Sequence, residues 1–181
     1  MDNSEALNRF LARVERRAFG MARLSTGSTD DALDIVQDAM LHFVRLYAGR
    51  PETEWSVLFY KVLQSRTTDW YRRTAVRRRF KGWFGSSTDD QDVEADVMAR
   101  VADTKSPDPA EGVMRSEFTG ALQKALRELP LRQQQAFVFR AWEGFDVAQT
   151  AAAMGCSEGS VKTHYSRAVH TLQIKLEEFQ P

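Results

Sequence analysis

The chain has 181 residues, 43% of them hydrophobic and 28% charged, with 25 basic and 25 acidic side chains giving a formal net charge of zero. That length suits two small cores rather than one large one, and the apolar content is too high for a disordered chain. The lone Cys156 excludes an internal disulfide or a thiolate zinc cluster, and no apolar run approaches the roughly 20 residues of a membrane span.

The first residues, MDNSEALNRF, lack the apolar stretch of an export signal, so a reduced cytoplasmic setting is expected, with Cys156 as a small buried turn residue. Leu7, Phe10, Leu11, Val14, Ala18 and Met21 then share one stripe at helical spacing, opposite Arg9, Arg13 and Arg16. Ser25-Thr-Gly-Ser-Thr is the following turn. Thr29 is expected to cap a second helix, with Asp30 and Asp31 in the first turn, where the helix dipole favours carboxylates. Leu33, Val36, Met40, Phe43 and Tyr47 continue that helix until Gly49-Arg50-Pro51 breaks it. A third helix is expected from about Glu54 through Trp70 into Arg72-Arg73. Together these predict a compact helical bundle.

At the end of the third helix, Arg72, Arg73, Arg77, Arg78, Arg79 and Lys81 point all round a helical axis, so they cannot all lie against a core. Cations so placed suit phosphates. The aromatic residues leading into them, Trp55, Phe59, Tyr60, Trp70 and Tyr71, could stack on unpaired bases, although core packing is the better expectation for any one of them.

The neutral whole hides an asymmetry: net charge is +5 over residues 1–84, −6 over 85–114 and +1 over 115–181. The acidic middle opens on Gly85-Ser-Ser-Thr-Asp-Asp and ends near Ser106-Pro-Asp-Pro, turn and loop formers without a sustained helical stripe. It reads as a linker, with room for a short helix around Val93 to Val101. The domains expected are therefore 1–84, an acidic flexible linker over 85–114, and 115–181, in an all-α fold.

In the last domain one helix carries Phe118, Leu122, Ala125, Leu126 and Leu129 and stops at Pro130. Another runs from Arg132 to about Trp142 and ends at Gly144. A short helix capped by Asp146 follows, then a Gly155-Cys156 turn, then a helix capped by Ser157 that can run to about Phe179. On this final helix Val161, Tyr165, Ala168, Leu172 and Leu176 form the inward stripe. Ser160, Thr163, Ser166 and Arg167 project opposite, flanked by Lys162 and His164. Short polar side chains with cations beside them are what a helix lying in the major groove requires. A small-residue helix, a glycine turn and a capped polar helix in succession make this a helix-turn-helix. His164 has no partner at metal-ligand spacing.

Leu129-Pro130-Leu131-Arg132, Glu143-Gly144-Phe145 and the run from Gly155 to Ala168 resemble the promoter-reading domain of extracytoplasmic-function (ECF) sigma factors of the sigma-70 superfamily. Asp31 to Met40 resembles that family's most recognisable helix, and Leu58 to Arg73 its next segment. The resemblance implies a specificity subunit of bacterial RNA polymerase that initiates transcription from chosen promoters, often under stress, with no cofactor and no catalysis of its own. Its partners would be the polymerase core, through the beta and beta-prime subunits, promoter DNA and an anti-sigma factor, with a monomer when free.

By the same resemblance, Asp34, Gln37, Asp38 and Leu41 would dock on the polymerase clamp. The loop from Gly49 to Glu54 and the helix after it would capture a flipped base of the minus-ten element, offsetting the cost of unstacking. Trp55, Gln64, Ser65, Trp70, Arg72, Arg73 and Arg77 would line that site. The linker would thread toward the polymerase cleft, and Ser157, Ser160, Lys162, Thr163, His164, Ser166 and Arg167 would read the minus-thirty-five element. Two positions depart from the family pattern: Gln64-Ser65 where Arg-Asn is usual, and Val169 where a second basic residue often stands. The rival reading is a stand-alone helix-turn-helix regulator that binds DNA without polymerase. A nucleic-acid-processing enzyme lacks support, since no metal-ligand spacing, nucleophile set or phosphate-cradling glycine loop is present.

Overall fold

The computed structural model describes residues 3–84 and 109–179, with side chains over 4–76 and 117–179. The described residues form helices and turns with no strand among them. The chain divides into two compact units, the first carrying α1 (Asn3–Thr26), α2 (Thr29–Tyr47) and α3 (Glu52–Phe84). The second carries α4 (Pro109–Arg127), α5 (Leu131–Phe137) and α7 (Glu158–Lys175), and α6 (Val147–Met154) precedes α7. Val138–Trp142 continues α5 as a π-helical turn, and a 3₁₀ turn, Glu177–Phe179, follows α7. No described helix is long and apolar enough to cross a membrane.

The first unit is held by aromatic rings that each helix contributes. Phe10 of α1 lies 5.4 Å from Phe43 of α2 and 5.5 Å from Trp55 of α3, ring centre to ring centre, and Phe43 meets Phe59 edge-on at 5.7 Å. Tilted and edge-on pairs of this kind add about 0.5–1.5 kcal/mol each beyond area burial. The buried face of α2 is Ala32, Ile35, Val36, Ala39 and Phe43. Leu33, expected inside, is 45% exposed. Counting large apolar residues misplaced the stripe, because the alanines, not Leu33, face the neighbouring helices.

The start of α2 is set by the turn before it. Gly27, at φ 73°, ends α1 in the left-handed region, which leaves Ser28 extended at φ −116°. Ser28 Oγ accepts the Asp31 backbone N–H at 3.3 Å, so Ser28 and not Thr29 is the cap. The third helix also runs further than expected, to Phe84.

Pro109 opens α4, where its missing N–H costs nothing. Residues 109–114, expected in the linker, are therefore helical. The rest of the expected linker, 85–108, lies outside the described residues, as does the short helix expected near Val93. The predicted helix from Arg132 to Trp142 is α5 and the π turn in series: Glu143 N–H donates to Val138 O and Phe145 N–H to Phe139 O, both at 3.0 Å. Gly144 then turns the chain at φ 69°.

Local hydrogen bonds fix the start of both helices in the helix-turn-helix. Asp146 Oδ1 accepts Gln149 N–H at 2.7 Å while Gln149 Oε1 accepts Asp146 N–H at 3.0 Å, a reciprocal capping box. Gly155 takes φ 62° in the turn, and Ser157 Oγ accepts Ser160 N–H at 3.1 Å. Cys156 is half-buried there rather than buried. The end of α7 falls at Lys175, earlier than expected, and Lys175 Nζ donates to the Glu128 carboxylate just beyond α4.

Candidate nucleic-acid interface

The outer face of α7 begins where its inner face ends. Val161, Ala168 and Leu172 are buried and Tyr165 half-buried, which turns Lys162, Thr163, Ser166 and Arg167 outward into solvent. Ser157 is exposed too, with its Oγ engaged in the cap. Ser160 and His164 are half-buried along one edge of the same face. Thr163 Oγ1 donates to Gly159 O at 3.0 Å, which leaves its oxygen lone pairs and methyl group outward. The result is a surface of short polar side chains with two cations, held by a rigid inner stripe.

Tyr165 is seated by one residue of α5 and one of the π turn that continues it. Its ring stacks on Phe137 with 6.2 Å between centres and 19° between planes, and the Arg140 guanidinium carbon lies 5.7 Å from its centre. Arg140 also donates from Nη1 to the Phe145 carbonyl, just before the α6 capping box. No sequence spacing signals this triad, because Tyr165 is distant in the chain from its two supports.

In the first unit α3 carries the second candidate surface. Ser65, Arg72 and Arg73 are exposed, and Trp70 and Tyr71 are half-buried. Trp70 lines two clefts. One, of about 440 Å³, lies between α2 and α3 and is walled by Asp31, Asp34, Asp38, Arg66 and Arg73. The other, of about 330 Å³, lies beside Ser25, Thr26 and Tyr71, where Tyr71 Oη donates to Ser25 O at 3.0 Å.

Two expected members of that surface are placed elsewhere. Trp55 is 1% exposed and its indole N–H donates to Arg50 O at 2.8 Å, so it is core and cannot stack on a base without unfolding. Gln64 is 7% exposed, inside the helix packing. The side chain of Arg77 lies outside the described residues.

On α2, Asp34, Gln37, Asp38 and Leu41 are all exposed at spacings of three, one and three, hence on one face. Leu33 and Val44 extend that face, giving it an apolar margin at 45% and 37% exposure. Sequence reading did not name Leu33 and Val44 on this face, since apolar residues at helical spacing read as core. Arg66, which sequence reading missed, reaches this face from α3: its Nε is 3.1 Å from Asp38 Oδ2 and its Nη2 is 2.8 Å from His42 Nδ1. Among the described residues no group of three or more His, Cys, Asp or Glu side chains is placed to hold a metal ion.

Comparison with known proteins places this geometry. Residues 119–172, which span the helix-turn-helix, match the family described as Sigma-70, region 4. Over 169 residues the chain is 30% identical to the ECF RNA polymerase sigma factor SigM of Mycobacterium tuberculosis, covering 90% of this chain and 73% of that protein. It is also 30% identical over 148 residues to the RNA polymerase sigma-E factor of Streptomyces antibioticus, covering 81% and 71%. Among solved structures, the sigma factor RpoE of Bartonella quintana, crystallised in complex with the anti-sigma factor NepR, has the same fold. Its TM-score is 0.64 at 23% identity, covering 94% of this chain and 96% of that one.

Proposed function

Because the chain belongs to the ECF family of RNA polymerase sigma factors, we propose a division of labour among its surfaces. As a sigma factor it directs core RNA polymerase to specific promoters and helps initiate transcription. Residues 1–84 dock on the polymerase and open the duplex, 85–108 tether, and 109–181, from α4 onward, read the upstream element. Phosphodiester chemistry belongs to the polymerase, and the setting is the cytoplasm.

The observation that carries the reading of the last domain is the outward set Lys162, Thr163, Ser166 and Arg167 on a capped helix with a fully buried Val161. Such a face enters the major groove, Arg167 reaching guanine edges and Lys162 phosphates. Ser157, Ser160 and His164 border it. In the first unit, Arg72 and Arg73 hold the backbone of the melted strand, and Trp70 with Ser65 faces it. Trp55 and Gln64 drop out of this set and support it from the core. Asp34, Gln37, Asp38 and Leu41, with Leu33 and Val44, meet the polymerase clamp. An anti-sigma factor that covers these surfaces would hold the protein inactive.

The modest charge of the last domain fits a chain whose grip on DNA comes mainly from the polymerase. The experiment is in vitro transcription with bacterial core polymerase and a promoter library. The expected result is initiation from a narrow promoter set, with weak binding by the free protein. Sequence-selective binding at physiological salt without polymerase, together with no initiation in its presence, would instead establish the stand-alone regulator.

A further inference from the structure

Promoter discrimination by α7 depends on how the helix is rotated and tilted, since a base-edge contact is lost when a side chain moves by about 1 Å. Two features set that pose inside the second unit. The buried stripe of Val161, Ala168 and Leu172 fixes which face of α7 is inward. Between Val161 and Ala168 on that face, Tyr165 is only half-buried and reaches the rim of the stripe. The Tyr165 ring is held there by Phe137, at the end of α5, and Arg140, in the π turn that continues it.

Arg140 differs from an ordinary surface arginine in making two directed contacts at once. The guanidinium lies 5.7 Å from the Tyr165 ring centre, within cation–π range. Its Nη1 donates to the Phe145 carbonyl, in the residue that leads into the Asp146 cap of α6. One side chain therefore joins the start of the first helix of the motif to the reading helix. Arg140 lies within the π turn Val138–Trp142, three residues after Phe137 and five before Phe145, so it stands between its two contacts.

We infer that Arg140 is a positioning residue for promoter specificity: by clamping the Tyr165 ring to the Phe145 carbonyl it sets the pose of α7, and so the selectivity of Lys162, Thr163, Ser166 and Arg167, without itself touching DNA. This rests on the reading of α7 as the upstream-element helix.

The test uses holoenzyme reconstituted from bacterial core polymerase and the full chain. Two templates are compared: a duplex promoter library randomised over the upstream element, and a pre-melted bubble template that lacks that element. Arg140→Met keeps the length and apolar stem and removes the guanidinium. It is expected to lower the preference for the best upstream sequences over the library mean by about three- to tenfold, the scale of one weakened base contact. Transcription from the bubble template is expected to hold, and the melting temperature of the free protein to fall by only a few degrees, about what one part-exposed contact contributes. Tyr165→Leu should give at least as large a loss, since it also removes the Phe137 stack, and the double variant a loss well below the sum of the two, because they share one contact.

Equal loss on the library and the bubble template would make Arg140 a general structural residue and overturn the inference. So would undiminished discrimination by Arg140→Met, or losses that add in the double variant. If the unaltered chain initiates but shows no preference over the upstream library, the reading of α7 fails first and the inference falls with it. Those two failures are thus told apart by the unaltered chain alone.

Discussion

Arg66 of α3 grips Asp38 of α2, guanidinium Nε to carboxylate Oδ2 at 3.1 Å, and places its Nη2 2.8 Å from His42 Nδ1 in the same contact. The helix proposed to hold the melted strand is thereby tied to the face proposed to hold the polymerase. Arg66 is the less exposed partner, at 29% of its side-chain surface against 58% for Asp38, so the ordered end of the pair is the α3 end.

Arg66→Met is expected to lower affinity for core polymerase about three- to tenfold by freeing Asp38, while folding stability changes by no more than about 1 kcal/mol because the pair is partly solvated. Fluorescence anisotropy titration of labelled protein with core enzyme checks the first, and a urea melt the second. Unchanged affinity would remove Asp38 from the docking face.

Arg167→Ala is expected to relax upstream discrimination at a cost of about 1–3 kcal/mol at the base it contacts, whereas Arg72→Ala should weaken all promoters evenly and flatten the salt dependence. Library transcription at two salt concentrations separates the two. A uniform loss for Arg167→Ala would mean that it contacts only phosphate.

Trp55→Phe keeps the ring in the aromatic cluster and deletes the indole bond to Arg50 O. The expected result is destabilisation of about 0.5–1.5 kcal/mol with promoter opening by the folded fraction unchanged. Trp70→Ala should show the reverse, near-normal stability with impaired opening. Permanganate footprinting of unpaired thymines, alongside thermal melts, reads both effects.

The Glu128–Lys175 pair yields a pH test. Lys175 holds the Glu128 carboxyl below its ordinary range, first through their hydrogen bond and then through its charge. A carboxylate with a depressed folded-state pKa stabilises the fold above its unfolded value and loses that contribution as pH falls through the folded value. Glu128→Gln should therefore melt slightly below the unaltered chain at neutral pH, with the gap closing below the ordinary carboxylate range near 4.5. A gap that persists in strong acid would assign the effect to packing.

How much of this was legible in the sequence follows from the range of each interaction. The Asp146 and Ser157 caps were readable because both close over three residues and leave a residue-type signature. The α2 cap slipped by one because Ser28 and Thr29 are both good caps, and the choice between them rests on the left-handed Gly27. Asp34, Gln37, Asp38 and Leu41, named from the family resemblance, lie exposed on one face of α2, yet nothing in the sequence names Arg66 as their neighbour. Trp55 and Trp70 lead into the same basic run and look alike in the sequence. Only three-dimensional packing puts the first in the core and leaves the second beside two clefts. Arg140 could not be singled out at all, since its contacts are with a ring distant in the chain and a backbone carbonyl that no residue type signals.

That π turn also constrains how the chain can change length. An α-helix absorbs substitutions while keeping its register, but Val138–Trp142 closes its bonds over five and six residues, as Glu143 to Val138 and Phe145 to Phe139. Deleting any one residue there lets ordinary four-residue bonds form and carries everything beyond it round by about 100°. Phe145 would leave its buried seat against Phe139, and the Asp146–Gln149 box would face another way. The stretch before the helix-turn-helix can therefore vary in composition far more freely than in length, and a single-codon deletion there would do more harm than most substitutions.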